Sequence, residues 1–183
     1  KVNNDGKTRK ISSPSLVTRI YQHTFIGLMK DAYNREDPKI SYNCKDGYGI
    51  NSNDKEKSLM YHIKELYFDK RHYKYCLIID QRHCYEHITE KLFRSSLKYL
   101  TSDKSVIDFG VHVCMHDKKL PIGTPTSPFV HHVCMLGFDK FVKGISYDSV
   151  RFADDNLVPF GTKEEAQQAK KKKKNYWWYV LGI

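Results

Sequence analysis

Residues 6–12 (GKTRKIS) read as a turn followed by a short basic strand, after which the apolar positions change to a helical period. Ser13 and Pro14 form an N-cap and first-turn pair, and Val17, Ile20, Tyr21, Thr24, Phe25 and Leu28 recur at the spacing of a first helix. Residues 31–53 are polar and Gly-containing, which predicts a loop ending in helix-capping residues. A second amphipathic helix follows through Leu59, Met60, Ile63, Leu66 and Tyr67. Residues 73–80 (YKYCLIID) are an apolar run closed by a carboxylate, the pattern of a buried strand that delivers one acid, Asp80, at its end. Ile88, Leu92, Phe93, Leu97 and Leu100 mark a third helix. Residues 106–115 alternate in places and turn at 117–119, which predicts a strand or half a hairpin. After a loop at 123–127 (GTPTS), Val130, Val133, Cys134, Phe138 and Phe141 give a fourth helix. Residues 147–160 read as strand, Asp154-Asp155 turn and strand, with Pro159 marking the second strand as frayed or at an edge. A last helix starts near Thr162, carries Glu164 and Glu165 in its first turn, and runs into the lysine block at 170–174. No internal repeat occurs. Helices interleaved with a few strands predict an α+β domain with a small antiparallel sheet.

The chain has 183 residues, enough for one ordinary domain or two small lobes. Hydrophobic residues make up 40% and aromatics 13%, which excludes global disorder. The longest apolar runs, 76–79 and 133–136, fall far short of the roughly 20 residues of a membrane helix, so a soluble protein with no membrane partner is expected. Lys and Arg number 31 against 21 Asp and Glu, a formal charge of +10. That surplus implies an anionic partner; with so many aromatics nucleic acid leads, an acidic protein or simple solubility being the alternatives. Five cysteines (Cys44, Cys76, Cys84, Cys114, Cys134) with no CxxC point to a reduced, cytoplasmic setting, and the start at Lys1 shows no secretory leader.

Chemistry concentrates in RFADDNLVPF at 151–160. In a hairpin, period-two alternation puts Phe152 and Asp154 on one strand face, with Asp155 beside them in the turn. Solvent alone can offset the repulsion of a surface Asp-Asp turn, so the pair by itself is ambiguous. A third acid, Asp80, ending an apolar strand changes the picture: three strand-end carboxylates make an oxygen-only cage suited to Mg²⁺ or Mn²⁺ rather than zinc. Two such ions would activate an attacking hydroxyl and stabilise a leaving oxygen in phosphoryl chemistry.

IIDQRHCYEHI around Asp80, LPIGTPTSP at 120–128 and RFADD at 151–155 resemble, in order and spacing, the first, second and third catalytic motifs of reverse transcriptases. Upstream, GKTRKISSPSLVTRIYQHTF is similar to the family's fingers segment, and SYNCKDGYGINSNDKEKSL resembles a Gly-rich stretch of prokaryotic retroelement enzymes. The resemblance covers nearly the whole chain. It implies a right-hand polymerase with fingers over 1–72 and palm over 73–183, the motifs falling at 77–88, 120–141 and 147–160, and with the chain stopping at VLGI before any thumb. The implied reaction is RNA-directed DNA synthesis by two metal ions. Asp80, Asp154 and Asp155 would be catalytic and hold the metals, with the Gln81 carbonyl as a further ligand. Arg9 would contact the triphosphate, its alternative being a solvated surface residue. Tyr85 falls where the family places a ring beneath the sugar to exclude a ribose 2′-hydroxyl; otherwise it packs at the strand-to-helix junction. Gly123 would allow close approach of backbone and base pair, while Ser127-Pro128 starts the next helix. The implied partners are an RNA template, a DNA or RNA primer, a dNTP, and an accessory protein or thumb domain.

Ile122 departs from the Gln common in the family. An aliphatic there resembles the error-prone diversity-generating retroelement branch, whereas TPTSP looks more like retron and abortive-infection enzymes. Cys84 replaces a usual aromatic, and Thr18 stands where Asp usually precedes Arg19. Two readings compete with DNA synthesis: an RNA-dependent RNA polymerase, disfavoured by Tyr85, and a non-catalytic nucleic-acid-binding palm, disfavoured by the three acids. Elsewhere, His112, Cys114 and His116 share one face if 106–115 is a strand, a geometry open to zinc but more common as a plain exposed face. His131, His132 and Cys134 read as packing. The lysines at 170–174 are a solvated helix end or a phosphate contact, and YWWY at 176–179 stacks on bases or meets a neighbouring domain.

Overall fold

Ser15, rather than Ser13, starts the first helix: its carbonyl accepts the Arg19 N–H at 3.0 Å and its hydroxyl the Thr18 N–H at 3.2 Å. This is seen in a computed structural model that describes residues 10–37, 41–42, 72–81 and 84–180, without the side chains of 41–42 and 173–180. Helix α1 covers Leu16–Glu36, so residues 31–36 are helical rather than loop. Its buried face is Gln22, Phe25, Met29 and Tyr33. Of the residues whose spacing predicts the helix only Phe25 is buried; Val17, Ile20, Tyr21 and Leu28 are exposed. α1 carries apolar residues on more than one face, and the rings packed across it decide between them: Phe25 meets Phe93, Phe109 and Phe129 edge-on at 6.2, 6.2 and 6.3 Å. The expected second helix, and the Gly-rich stretch after Tyr42, lie outside the described residues.

The chain divides into two compact units, residues 1–36 with 83–134, and residues 37–82 with 135–183. In the first unit α1 is joined by α2 (Cys84–His87), α3 (Glu90–Leu97), α4 (Lys104–Cys114) and the first half of α5 (Ser127–Ile145). The strand expected at 106–115 is helix α4. Asp103 caps it, accepting from the Ser105 and Val106 N–H groups at 2.8 and 3.3 Å, and the buried residues Ile107, Gly110, Val111 and Cys114 follow helical spacing. The β-branched residues mimic a strand, but the cap and the spacing prevail. Gly110 allows α4 to approach α1: a Cβ there would lie 2.3 Å from Phe25 Cε2. His112 and His116 are therefore exposed at separate places and Cys114 is buried, so the shared face that zinc would need does not exist. The expected turn at 117–119 is present, with Asp117 and Lys118 at positive φ.

The second unit holds a sheet of order β1-β3-β4-β2. β3 (Val150–Phe152) and β4 (Asp155–Phe160) form a hairpin, β2 (Tyr75–Asp80) pairs antiparallel with β4, and the two-residue β1 (Ser41–Tyr42) runs parallel to β3. Ile79, Val158 and Phe160 pack against Met135, Phe138 and Val142 of α5 and Ala169 of α6 (Lys163–Val180). α6 opens with a capping box, Thr162 Oγ1 accepting the Glu165 N–H at 3.2 Å and the Glu165 carboxylate accepting the Thr162 N–H at 3.0 Å. Pro159 sits in the interior strand β4, opposite Cys76 but beyond Val150–Leu157 where β3 pairing stops. That flank is locally an edge, so the missing N–H leaves no partner unserved. Among the described residues no helix is long and apolar enough to cross a membrane.

Candidate active site

The register of the sheet gathers the acids. Asp155 pairs with Asp80 on one side and with Phe152 on the other, and directly opposed residues share a sheet face. The turn residues are Ala153 and Asp154, so Asp155, not Asp154, shares the row with Phe152. Ala153 has φ +51°, a conformation usually given to Gly at the first position of a two-residue hairpin loop. Asp80, Asp154 and Asp155 are all exposed.

Asp155 carries the burden of this arrangement. Desolvation pushes the Asp155 carboxyl above its ordinary value, and the charges of Asp154 and Asp80 push it further. Among the described residues none of the three has an ion-pair partner. An oxygen-only, uncompensated anionic cluster of this kind suits a hard divalent cation. The cage expected of the three acids is not formed: among the described residues no three His, Cys, Asp or Glu side chains converge closely enough to hold a metal ion. Gln81, next to Asp80, is 5% exposed.

Beneath this row lies a buried polar layer that composition and spacing did not single out. Arg151 and Asn156 are cross-strand partners on the inner face. Arg151 reaches both carboxylate oxygens of Asp139 on α5, at 2.7 and 2.6 Å, and donates to the Ala153 carbonyl at 2.9 Å. Asn156 Nδ2 donates to the carbonyls of Asp154 and Ile79 at 3.3 and 3.4 Å. The available signal is an Arg at a core-facing strand position, which demands a buried acid.

The other residues assigned by resemblance fall in the first unit. Tyr85 on α2 is half-buried and stacks on His131 with centroids 5.5 Å apart and planes 15° apart. The Ile122 carbonyl accepts the Ser12 N–H at 2.8 Å, pairing the loop with the segment just after Arg9, which itself lies outside the described residues. Gly123 has φ +94°, and a Cβ there would lie 2.5 Å from Ile11 Cγ2 and 3.1 Å from the Ser12 carbonyl oxygen. The observed close approach at Gly123 is thus by the chain's own residues 11 and 12. Gly123→Ala is expected to cost about 1–3 kcal/mol, from the left-handed backbone and the clash together, measured by denaturant unfolding; a change below about 0.5 kcal/mol would show that the loop yields freely. Thr124 Oγ1 lies 2.6 Å from Ser127 Oγ, which donates to the Pro121 carbonyl, so these hydroxyls close the loop and start α5. Lys170, Lys171 and Lys172 are exposed, and the side chains of 176–179 lie outside the described residues.

The family model described as reverse transcriptase (RNA-dependent DNA polymerase) matches residues 1–177. Among solved structures the chain is similar to telomerase from Candida albicans in complex with the TWJ fragment of telomeric RNA, with a TM-score of 0.53 and 11% identity. That match covers 91% of this chain and 33% of the other, so the chain spans about a third of that protein. At this identity the likeness shows the fold: an α+β arrangement of helices around a small antiparallel sheet. No curated protein sequence matches the chain. With the family model spanning nearly its full length, the chain belongs to the reverse transcriptase family.

Proposed function

We propose that the chain is the fingers (1–72) and palm (73–183) of an RNA-directed DNA polymerase of prokaryotic retroelement type. The reading is carried by the register that sets Asp155 opposite Asp80 and next to Asp154 at one end of the sheet, where desolvation and the charges of the other two raise the Asp155 carboxyl, an arrangement with no purpose in a protein that only binds phosphates. In the reaction a primer 3′-hydroxyl attacks the α-phosphate of a dNTP, a new phosphodiester bond forms, and pyrophosphate leaves. The three carboxylates and the Gln81 carbonyl would hold two Mg²⁺ or Mn²⁺ ions. Bound there, these ions supply charge stabilisation for the attacking and leaving oxygens.

The remaining work is binding and orientation. Arg9 receives the triphosphate through paired hydrogen bonds. The Tyr85 ring lies beneath the deoxyribose, and Gly123 and Ile122 border the nascent base pair. Ile122 offers no polar contact where Gln is common, which relaxes discrimination among bases. Surface lysines and arginines engage the template and primer phosphates, and an accessory protein or thumb domain grips the duplex. Defence, retron synthesis and targeted diversification all fit such a core.

Primer extension tests this. Given an RNA template with an annealed primer, dNTPs and Mg²⁺ or Mn²⁺, the protein is expected to lengthen the primer by template-directed addition, and chelation is expected to stop it. Extension with NTPs but not dNTPs would make it an RNA-dependent RNA polymerase. Tight binding of the duplex with no synthesis from either set would leave a binding module.

A further inference from the structure

We infer that Arg151, clamped by Asp139 and working with Asn156, is a positioning residue that fixes the backbone from which the three acids project. The inference rests on the polymerase reading and concerns residues to which that reading gives no role. Arg151 and Asn156 lie in the inner row, one residue along each strand from the acidic row. Three carbonyls take their hydrogen bonds: Ala153 from Arg151 at 2.9 Å, and Asp154 and Ile79 from Asn156 at 3.3 and 3.4 Å. Each belongs to the peptide that leads into one acid. The Ala153 carbonyl precedes Asp154, the Asp154 carbonyl precedes Asp155, and the Ile79 carbonyl precedes Asp80. The inner layer therefore grips, one by one, the peptide planes that set the direction of the three Cα–Cβ bonds.

The grip is anchored. The side chains of Arg151 and Asp139 are both 0% exposed, and the pair is bidentate at 2.7 and 2.6 Å, which holds the guanidinium plane as well as its position. Burial pushes the Asp139 carboxyl upward, as does nearby Asp37, and Arg151 pulls it back. A fold seeking only stability would gain as much from apolar side chains of similar volume, because desolvating two charges offsets most of their attraction. What the fork adds is direction: one nitrogen is left over, aimed at the turn carbonyl where the backbone takes φ +51°. The charges of Asp154, in the hairpin turn, and Asp80, at the end of β2, both bear on Asp155, and a cation site needs its ligands held closely.

The test is Arg151→Met combined with Asp139→Val, which removes both charges of the fork together and leaves neither of the two stranded, with nearby Asp37 retained. If the pair positions the acids, the double variant keeps wild-type melting behaviour, the amides of 153–156 lose about tenfold or more of their hydrogen-exchange protection, and half-maximal extension needs about 10–100-fold more Mg²⁺. Unchanged exchange and unchanged Mg²⁺ requirement would overturn the inference, as would lost protection with an unchanged Mg²⁺ requirement. If the double variant does not fold, Arg151→Lys serves: it keeps the charge but loses the fork, and the same two shifts are expected in smaller degree. Hydrogen exchange makes no reference to synthesis. A wild type that never extends a primer would sink the polymerase reading, while the exchange result would still decide whether the clamp holds the hairpin.

Discussion

Asp155→Asn is expected to lower primer extension on the order of 10³-fold or more and, in the absence of divalent cations, to raise the melting temperature. The two effects share one origin. Asp155 lies opposite Asp80 in the sheet and next to Asp154, and its carboxyl is pushed up by desolvation first and then by those two charges. An acid whose folded value is raised binds protons more readily folded than unfolded, so its ionisation lowers stability as pH rises from the unfolded value of about 3.8 through the raised one. Asn copies the uncharged form, so the gain in melting temperature should be full at neutral pH and shrink as pH falls towards about 3.8. Added Mg²⁺ should stabilise the wild type by mass action and the variant much less. Asp154→Asn should likewise abolish synthesis while leaving duplex affinity intact. A melting temperature that drops or stays level in metal-free Asp155→Asn would show that the repulsion is absent, and equal extension by all three proteins would show that the site lies elsewhere.

Much of this site is legible in the sequence because it is local. An apolar run ending in Asp80 and an FADD hairpin each specify a strand end, and a shared sheet then has little freedom but to bring those ends together. The capping residues of α6 are equally local, Thr162 and Glu165 standing three apart as a capping box requires. What pattern alone misplaces is settled by partners distant in the chain. The buried face of α1 is chosen by Phe93, Phe109 and Phe129, which lie far along the sequence. α4 masquerades as a strand because Val106, Ile107, Val111 and Val113 are β-branched, and only Asp103 and the close fit of Gly110 on Phe25 declare the helix. The pairing of Arg151 with Asp139 spans twelve residues and two kinds of secondary structure, so Arg151 calls for a buried acid but nothing local says which one.

Tyr85→Ala is expected to lower selection of deoxyribonucleotides over ribonucleotides by about 10²-fold, the limit of what a purely steric pocket achieves against one added hydroxyl. A ring can exclude a 2′-hydroxyl only if it cannot retreat. Tyr85 stacks at 5.5 Å on His131, which is 1% exposed; His131 meets His132 at 5.5 Å, His132 meets Tyr33 at 6.4 Å, and Tyr33 meets Phe129 at 5.7 Å. Phe129 in turn touches Phe25, so the ring is backed by an aromatic series that ends in the core of its own unit. Tyr85→Phe keeps the ring and should keep the selectivity. His131→Leu keeps bulk but loses the flat support, and should give part of the loss seen with Tyr85→Ala. The measurement is the ratio of kcat/KM for matched dNTP and NTP in single-nucleotide extension, which separates a gate from a packing residue, since a packing defect lowers both terms together. If Tyr85→Ala leaves the ratio unchanged while Asp154→Asn abolishes synthesis, Tyr85 only packs on His131 within its own unit, and discrimination against ribose must come from another contact with the sugar.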